Sequence, residues 1–283
     1  MTIVIYSIPI LLGAIVQHSM AYNSGSMNNS TTTVLDRLHR LAHWLGSPAH
    51  DFSILAEGNV SAAIEDRTTF WLKASGCMMG TMRQDQFVLM DTARSLAILD
   101  HETLTDGEIK DLLRGARVNA EDPLHPSVEA ALHAVCLTAG GANVVGHTHP
   151  TPWLSVLCSE SAEAAVAGRI FPDEVVVCGP AVCFVPYVDP GPPLAKACRE
   201  AIAAYKTEWG SPPKVLLLRN HGLFALGKDA DEVERITSMS VKVARALIGS
   251  YALGGPRFLT PENVARIHTR PDEHFRQKML ENK

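Results

Sequence analysis

Residues 142–150 read ANVVGHTHP, and in this stretch two histidines follow directly after an apolar run. The run is short and rich in β-branched residues, which predicts a strand over residues 143–147. Side chains at positions i and i+2 of a strand point to the same face, so His147 and His149 can reach one metal ion. The pair alone is weak evidence for a metal site, because two histidines at this spacing often occur without a metal.

A third histidine stands in a similar setting further along the chain. Residues 215–219 form another predicted strand, and Asn220, His221 and Gly222 follow it. Three neutral imidazoles with one open coordination position are typical of a catalytic zinc site. Spacing cannot show that His221 meets the other two histidines, since only the fold can bring them together.

The position of Glu129 in the sequence favours a catalytic metal site. Residues 126–138 are predicted to form a helix with Pro126 in its first turn. Glu129 stands four residues before His133, so the two share a helix face. Burying a carboxylate among apolar residues is costly unless it binds a metal or a donor. The plain alternative is an acid favoured by the helix dipole. For His133 we expect a supporting hydrogen bond rather than a ligand role.

Two loops and one helix start are suited to binding an anion. Residues 57–61 read EGNVS and residues 73–76 read KASG, and each loop pairs a glycine with short polar side chains. Such loops let backbone N–H groups approach a phosphate, and Lys73 adds a positive charge. Ser127 stands at the predicted helix N-terminus, which also favours anions. Each loop taken singly could equally be an ordinary turn.

The remaining pattern predicts one layered α/β domain. Strands and helices interleave to the end of the chain, with no second linker and no internal repeat. Further helices are predicted over residues 34–45, 108–114, 195–205 and 229–249, and further β-rich runs over residues 70–73, 175–178 and 183–186.

Composition excludes several classes of protein. The chain has 283 residues, with 25 Lys and Arg against 30 Asp and Glu, and a formal net charge of −5. Together with 46% hydrophobic and 19% charged residues, these values exclude a disordered chain, a coiled-coil rod and a nucleic-acid binder that relies on bulk basic charge. The six cysteines form no CxxC pair and most lie in apolar runs. We therefore expect reduced core thiols and a cytoplasmic protein that binds neither nucleic acid nor a membrane.

The first 33 residues do not fit the rest of the chain. Residues 3–16 form an apolar run too short to span a membrane comfortably, and no Lys or Arg precedes it. Residues 22–33 are polar and of low complexity. We interpret residues 1–33 as a disordered leader or linker, or as sequence upstream of a native start at Met20 or Met27. The functional domain is predicted to cover residues 34–283.

Five motifs together resemble the class II aldolase/adducin family. They are EGNVS at 57–61, KASG at 73–76, PSVE at 126–129, VGHTHP at 145–150 and RNHGL at 219–223, and they occur in the family's order. The resemblance covers roughly residues 34–283. It implies a three-layer α/β/α sandwich with a mostly antiparallel central sheet. It also implies a homo-oligomer, usually a tetramer, with active sites between neighbouring subunits.

The resemblance also implies a role for each matching residue. His147, His149 and His221 would bind one Zn²⁺ per subunit, and Glu129 would act as the acid/base. A substrate phosphate would be held by Gly58, Asn59, Ser75, Gly76 and Ser127, with Lys73 as a further candidate. The implied activity is that of a zinc-dependent lyase, which cleaves a C–C bond of a small ketose or ketose phosphate through an enediolate. Alternatives are a ribulose-phosphate-like 4-epimerase and a non-catalytic adducin-like scaffold.

Two departures from the family pattern bear on the substrate. Val128 stands where the aldolases usually have a second hydroxyl residue, and valine cannot donate to a phosphate. The fuculose-phosphate enzymes have a tyrosine acid after the HxH motif, but no tyrosine occurs between His149 and Tyr187. Tyr187, or a histidine such as His268 or His274 from a neighbouring subunit, would then be the candidate donor to the leaving aldehyde.

Overall fold

The computed structural model describes residues 33–272, so the predicted leader lies outside the described residues apart from Thr33. The strands are β1 (Asn59–Ala63), β2 (Thr69–Lys73), β3 (Phe87–Asp91), β4 (Val144–Thr148), β5 (Cys183–Val185), β6 (Val215–Leu218) and β7 (Gly222–Gly227). The helices are α1 (Val34–Leu45), α2 (Thr92–Ala97), α3 (Asp106–Gly115), α4 (Ala130–Thr138), α5 (Thr151–Leu157), α6 (Ala162–Ala165), α7 (Pro172–Cys178), α8 (Pro192–Trp209), α9 (Ala230–Tyr251) and α10 (Pro261–Thr269).

The strands form one mixed sheet in the order β3-β2-β1-β4-β7-β6-β5. Within the described residues, neighbouring strands pair antiparallel except β5 and β6, which pair parallel. The antiparallel arrangement implied by the resemblance is therefore interrupted at one edge. The reason is the connection: α8 carries the chain from the end of β5 back to the start of β6, and such a crossover produces parallel strands.

Both faces of the sheet are covered, and alternate residues of a strand enter different cores. In β6, Leu216 and Leu218 pack into one hydrophobic cluster, whereas Val215 and Leu217 pack into the other. Helices α4 and α8 contribute to the first cluster, and helices α1 and α9 contribute to the second. A strand buried on both faces reads as a continuous apolar run, which explains the sequence VLLL.

The first helix is defined by a local signal. The Thr33 hydroxyl accepts a hydrogen bond from the Asp36 N–H at 3.1 Å, and the Asp36 carboxylate accepts one from the Thr33 N–H at 2.8 Å. This capping box satisfies two N–H groups that the helix itself leaves unpaired. The helix predicted over residues 34–45 is confirmed with these bounds.

One predicted element is wrong, and another begins later than predicted. The β-rich run at residues 175–178 belongs to α7, where Pro172 begins the helix and the Glu174 carboxylate pairs with Arg169 at 2.8 Å. A helix start with proline and acidic residues outweighs the β-propensity of three valines. The second case is α4, which begins at Ala130 rather than at Pro126. Pro126 instead forms an isolated β-bridge with Ala74.

Within residues 33–272, no helix combines the length and the apolar character that crossing a lipid bilayer requires.

Candidate metal centre and active site

The three histidines of the sequence prediction converge in space. His147 lies in β4, where it pairs with Asn59 of β1 on one side and Phe224 of β7 on the other. His149 follows just beyond the strand, and His221 lies in the turn between β6 and β7. One ring nitrogen from each histidine lies within 4.8 Å of the others. This geometry suits three ligands of one ion.

Hydrogen bonds donated by the Nδ1 atoms of His147 and His149 orient these two imidazoles. The Nδ1 atom of His147 donates to the Leu223 carbonyl at 3.0 Å, and Nδ1 of His149 donates to the Glu57 carboxylate at 3.1 Å. A neutral imidazole carries one N–H, so the Nε2 atom of each ring holds a lone pair. These two Nε2 atoms face each other at 2.9 Å. Two opposed lone pairs repel, and a cation between the ligands removes that repulsion.

Glu129 completes the ring of electron-rich atoms. Its Oε1 atom lies 3.3 Å from Nε2 of His221 and its Oε2 atom lies 3.4 Å from Nε2 of His147. Oε2 accepts a hydrogen bond from the Asn59 amide, whereas Oε1 is buried with no hydrogen-bond partner among the described residues. A buried carboxylate oxygen without a donor is costly. The donor set of three imidazoles and an adjacent carboxylate therefore fits a divalent cation such as Zn²⁺.

Burial keeps His147 and His221 uncharged at neutral pH. Burial, followed by the neighbouring His149, lowers the pKa of His221 to about 4 and also lowers the pKa of His147 well below its usual value. Neutral imidazoles are the form that binds metal. Burial raises the pKa of Glu129 to about 7, against the opposing effects of the Asn59 hydrogen bond and the Lys73 charge. Glu129 can therefore both accept and release a proton near neutral pH.

Two glycines allow the backbone to approach the histidines closely. A Cβ atom on Gly222 would lie 2.6 Å from the Thr148 carbonyl and 2.7 Å from the His149 ring. Gly58 has φ of +68°, and a Cβ there would lie 2.6 Å from the His147 carbonyl. Asn220 has φ of +53°, a left-handed conformation that asparagine tolerates better than most residues. These positions explain why the motifs read EGN and NHG.

The predicted anion-binding residues also come together. The Asn59 amide donates to the Ser127 hydroxyl at 3.1 Å, and the Ser75 N–H donates to the His125 carbonyl at 2.8 Å. Asn59 also donates to Glu129 at 2.9 Å, so Asn59 and Ser127 lie beside the carboxylate, whereas Ser75 lies beside His125, two residues before Ser127. Ser127 lies before α4 rather than inside it, because Glu129 occupies the N-cap position. The structure thus places Asn59 and Ser127 at the carboxylate, although not through a helix N-terminus at Ser127.

A cavity of about 410 Å³ adjoins these loops. Ser75 and Val128 both line it, together with the basic residues Lys110, Arg114 and His125. Val128 is half exposed, so its apolar side chain faces this space where the family pattern has a hydroxyl. The cavity therefore shares Ser75 with the predicted anion site and presents both apolar and cationic surface.

The remaining predicted candidates lie in different settings. Lys73 is buried, and its ammonium donates to the Ala56 carbonyl at 3.3 Å. Burial lowers the pKa of Lys73, while its charge acts on Glu129. Tyr187 is 56% exposed, and its hydroxyl donates to Asp189 at 3.4 Å. His268 lies on α10 and lines a cavity with Gly141, at the opposite end of β4 from His149, and His274 lies outside the described residues.

Two residues without a predicted role, Glu57 and Ser61, are connected to the site by the structure. Glu57 belongs to the EGNVS motif, yet only the structure shows its carboxylate at His149. Ser61 of the same motif contacts His133 at 2.6 Å. The available signal was an acidic residue next to a glycine in a chain that already contains an HxH pair. A ligand histidine usually donates its outer N–H to such a carboxylate.

The chain belongs to the class II aldolase and adducin N-terminal domain family, whose model matches residues 38–248. The matched range includes the three histidines, Glu129 and both loops that the sequence predicts to bind an anion. No curated protein sequence matches this chain.

Solved structures of related proteins have the same fold. An L-fuculose 1-phosphate aldolase superimposes with a TM-score of 0.64 at 18% identity, covering 86% of this chain and 96% of that one. The N-terminal class II aldolase domain of a conserved protein from Thermoplasma acidophilum gives 0.61 at 24% identity, with coverages of 83% and 100%. A sugar-phosphate aldolase from Thermotoga maritima gives 0.59 at 16% identity, with coverages of 79% and 97%. Identities this low establish the shared fold.

Proposed function

We propose that this protein is a zinc-dependent, aldolase-type lyase that cleaves a C–C bond of a small ketose or ketose phosphate. One observation carries the proposal: one ring nitrogen each of His147, His149 and His221 converge beside a buried Glu129, whose Oε1 has no hydrogen-bond donor in the part of the chain that the structure describes. A divalent cation bound there would supply Lewis-acid polarisation of a substrate carbonyl. A non-catalytic scaffold would have no use for this set of buried polar groups.

In this proposal Glu129 moves the proton. Breaking the C–C bond next to a ketone leaves an electron pair on carbon, and a proton must be returned to that carbon. Oε2 is held by the Asn59 amide at 2.9 Å, which leaves Oε1 to exchange the proton. With a pKa near 7, the carboxyl group is matched to proton transfer at neutral pH.

The loops around Glu129 would bind the anionic end of the substrate. Backbone N–H groups at Gly58 and Gly76 and the hydroxyls of Ser75 and Ser127 are the proposed donors. Val128 removes one donor relative to the family pattern. We therefore expect a weaker preference for phosphorylated ketoses, with acceptance of an unphosphorylated or carboxylated substrate.

The proposal includes a reducing cytoplasmic compartment and a homotetramer with sites between subunits. The compartment is supported by six cysteines that are all free, four of them buried. Subunit contact at the site is supported by the exposed apolar side chains of Ile54 and Leu55, which immediately precede Glu57's loop. Sedimentation of the purified protein would test the tetramer.

Metal analysis combined with a substrate screen tests the function. Purified protein should contain about one divalent ion per chain, mainly zinc, and His221→Ala should lose it. His101→Ala is the matched control, because His101 is exposed and lies outside the cluster. If wild type and His221→Ala contain equally little metal, the metal assignment is wrong.

The screen should contain ketoses, their phosphates and their carboxylated analogues, with detection of both the aldehyde product and epimerised substrate. Released aldehyde supports the lyase, and epimerised substrate without aldehyde supports the 4-epimerase instead. Glu129→Gln should keep its metal and lose about a hundredfold or more in turnover. Unchanged turnover in Glu129→Gln would assign the proton transfer to another residue.

A further inference from the structure

A chain of buried polar side chains leads from the core to the candidate site. Ser61 Oγ lies 2.6 Å from Nδ1 of His133, and Nε2 of the same imidazole contacts Oδ1 of Asn59. The Asn59 amide nitrogen then contacts Glu129 Oε2 at 2.9 Å and Ser127 Oγ at 3.1 Å. His133 is fully buried against Phe224, so neither water nor ligand reaches it.

The chemistry of these groups determines the direction of each hydrogen bond. Burial lowers the pKa of His133 to about 3, so the neutral ring carries a single N–H at neutral pH. The Asn59 carbonyl oxygen can only accept, so that N–H is on Nε2. Nδ1 then accepts from the Ser61 hydroxyl. If Asn59 were flipped, its carbonyl oxygen would face the Glu129 carboxylate, and two acceptors would be opposed.

The same direction continues to Ser127. Its hydroxyl oxygen accepts from the Asn59 amide at 3.1 Å and from the Glu129 N–H at 3.3 Å. A hydroxyl has two lone pairs and one hydrogen. With both lone pairs occupied, the hydrogen is left to point elsewhere, and the oxygen of an anionic ligand is a suitable acceptor. The chain Ser61–His133–Asn59–Ser127 therefore presents donors to the site.

We propose that His133 is a positioning residue: by donating from Nε2 it locks the Asn59 amide with its NH₂ group toward Glu129 and Ser127, which makes Ser127 a donor to a bound anion. His133 itself touches neither metal nor substrate. The part of the inference that concerns the anion rests on the proposed function, whereas the tautomer of His133 does not.

The tautomer can be measured directly in the metal-free protein. Nitrogen-15 NMR of the labelled histidine rings distinguishes a protonated from an unprotonated ring nitrogen. The signals of His133 are assigned as those that disappear in His133→Gln. We expect a neutral His133 with the proton on Nε2 at pH 7, and a mixture of tautomers in Ser61→Ala. A proton on Nδ1, or a doubly protonated ring, in the wild-type protein would overturn the proposal.

Inorganic phosphate serves as the probe for the effect on the site. His133→Phe retains the packing against Phe224 and removes the donor, and it should weaken phosphate binding about tenfold, the equivalent of one charge-assisted hydrogen bond. His133→Gln can donate to Asn59 and should recover part of this loss. Val135→Ala, at a fully buried position on the same helix, is the control: it should lower stability without changing phosphate affinity.

The possible outcomes distinguish the positioning role of His133 from the anion site of the proposed function. Equal phosphate affinity in wild type, His133→Phe and His133→Gln would overturn the positioning role even if the tautomer is as expected. If wild type binds no phosphate, the anion site of the proposed function fails, and the ring-nitrogen measurement alone decides the role of His133. If His133→Phe does not fold, the comparison of His133→Gln and Ser61→Ala with wild type takes its place.

Discussion

The Glu57 carboxylate lies 3.1 Å from Nδ1 of His149 and thereby turns the other ring nitrogen of that histidine toward His147. Glu57 also accepts a hydrogen bond from the Ile54 N–H at 2.7 Å, so its own position is held by the loop that carries it. The arrangement is a carboxylate–histidine pair of the kind that orients metal ligands. It makes Glu57 part of the candidate metal centre.

Replacing Glu57 should therefore weaken metal binding. Loss of such an outer carboxylate typically costs about 10- to 100-fold in metal affinity. Glu57→Ala should fall in this range, and Glu57→Gln should lose less, because its amide oxygen can still accept from His149. Competition with a zinc chelator measures the affinity. Glu163→Gln, at an exposed glutamate of α6, is the control, and a Glu57→Ala affinity equal to that of the control would contradict the assignment.

Glu129 should make the stability of the metal-free protein depend on pH. Its pKa is raised from 4.5 to about 7 by burial, so folding favours the protonated form. Its contribution to stability is fully present below pH 4.5 and is lost as pH rises through 7. The free energy of unfolding of Glu129→Gln minus that of wild type should therefore increase by roughly 2 kcal/mol from pH 5 to pH 8.

Chemical denaturation of both metal-free proteins at several pH values measures this gain. All other residues are identical in the two proteins, so their contributions largely cancel in the difference. A difference that does not change with pH would mean that Glu129 has an ordinary pKa in the folded protein.

The preference for a phosphorylated over a free sugar should depend on Val128 and Ser75, if the proposed anion site exists. Val128→Ser restores a hydroxyl on the cavity shared with Ser75, and Ser75→Ala removes one. One hydrogen bond to a charged group contributes about 1.5–3 kcal/mol, which is about tenfold or more in affinity. The ratio of kcat/KM for a ketose phosphate to that for its free sugar should rise in Val128→Ser and fall in Ser75→Ala. If neither variant changes the ratio, these loops are turns and do not bind the anion.

Gly222 should be needed for the shape of the metal centre. A Cβ at this position would overlap the Thr148 carbonyl and the His149 ring, so Gly222→Ala must displace one of them. Overpacking of this kind costs about 1–3 kcal/mol of stability, and displacement of His149 should also weaken zinc binding. Gly249→Ala is the matched control, because a Cβ there meets open space on helix α9. Equal zinc affinity in the two variants would show that His149 tolerates the extra methyl group.

Some features followed from the sequence because they depend on neighbours along the chain. The capped helix at residues 34–45 and the strand that carries His147 are of this kind. Their periods and caps are local properties, and the ordered motifs indicated the family. The prediction that failed at residues 175–178 was also local, but there the helix start at Pro172 and the Arg169–Glu174 ion pair outweighed β-propensity.

The candidate site itself depends on contacts between distant segments. His221 is 72 residues from His149 in the sequence, and only the pairing of β4 with β7 brings the two together. The contacts of Glu57 with His149 and of His133 with Asn59 likewise join residues more than seventy positions apart. No periodicity encodes such pairs, because they result from the order of strands in the sheet. The sequence determined which chemical groups are present, and the tertiary structure decided which of them meet.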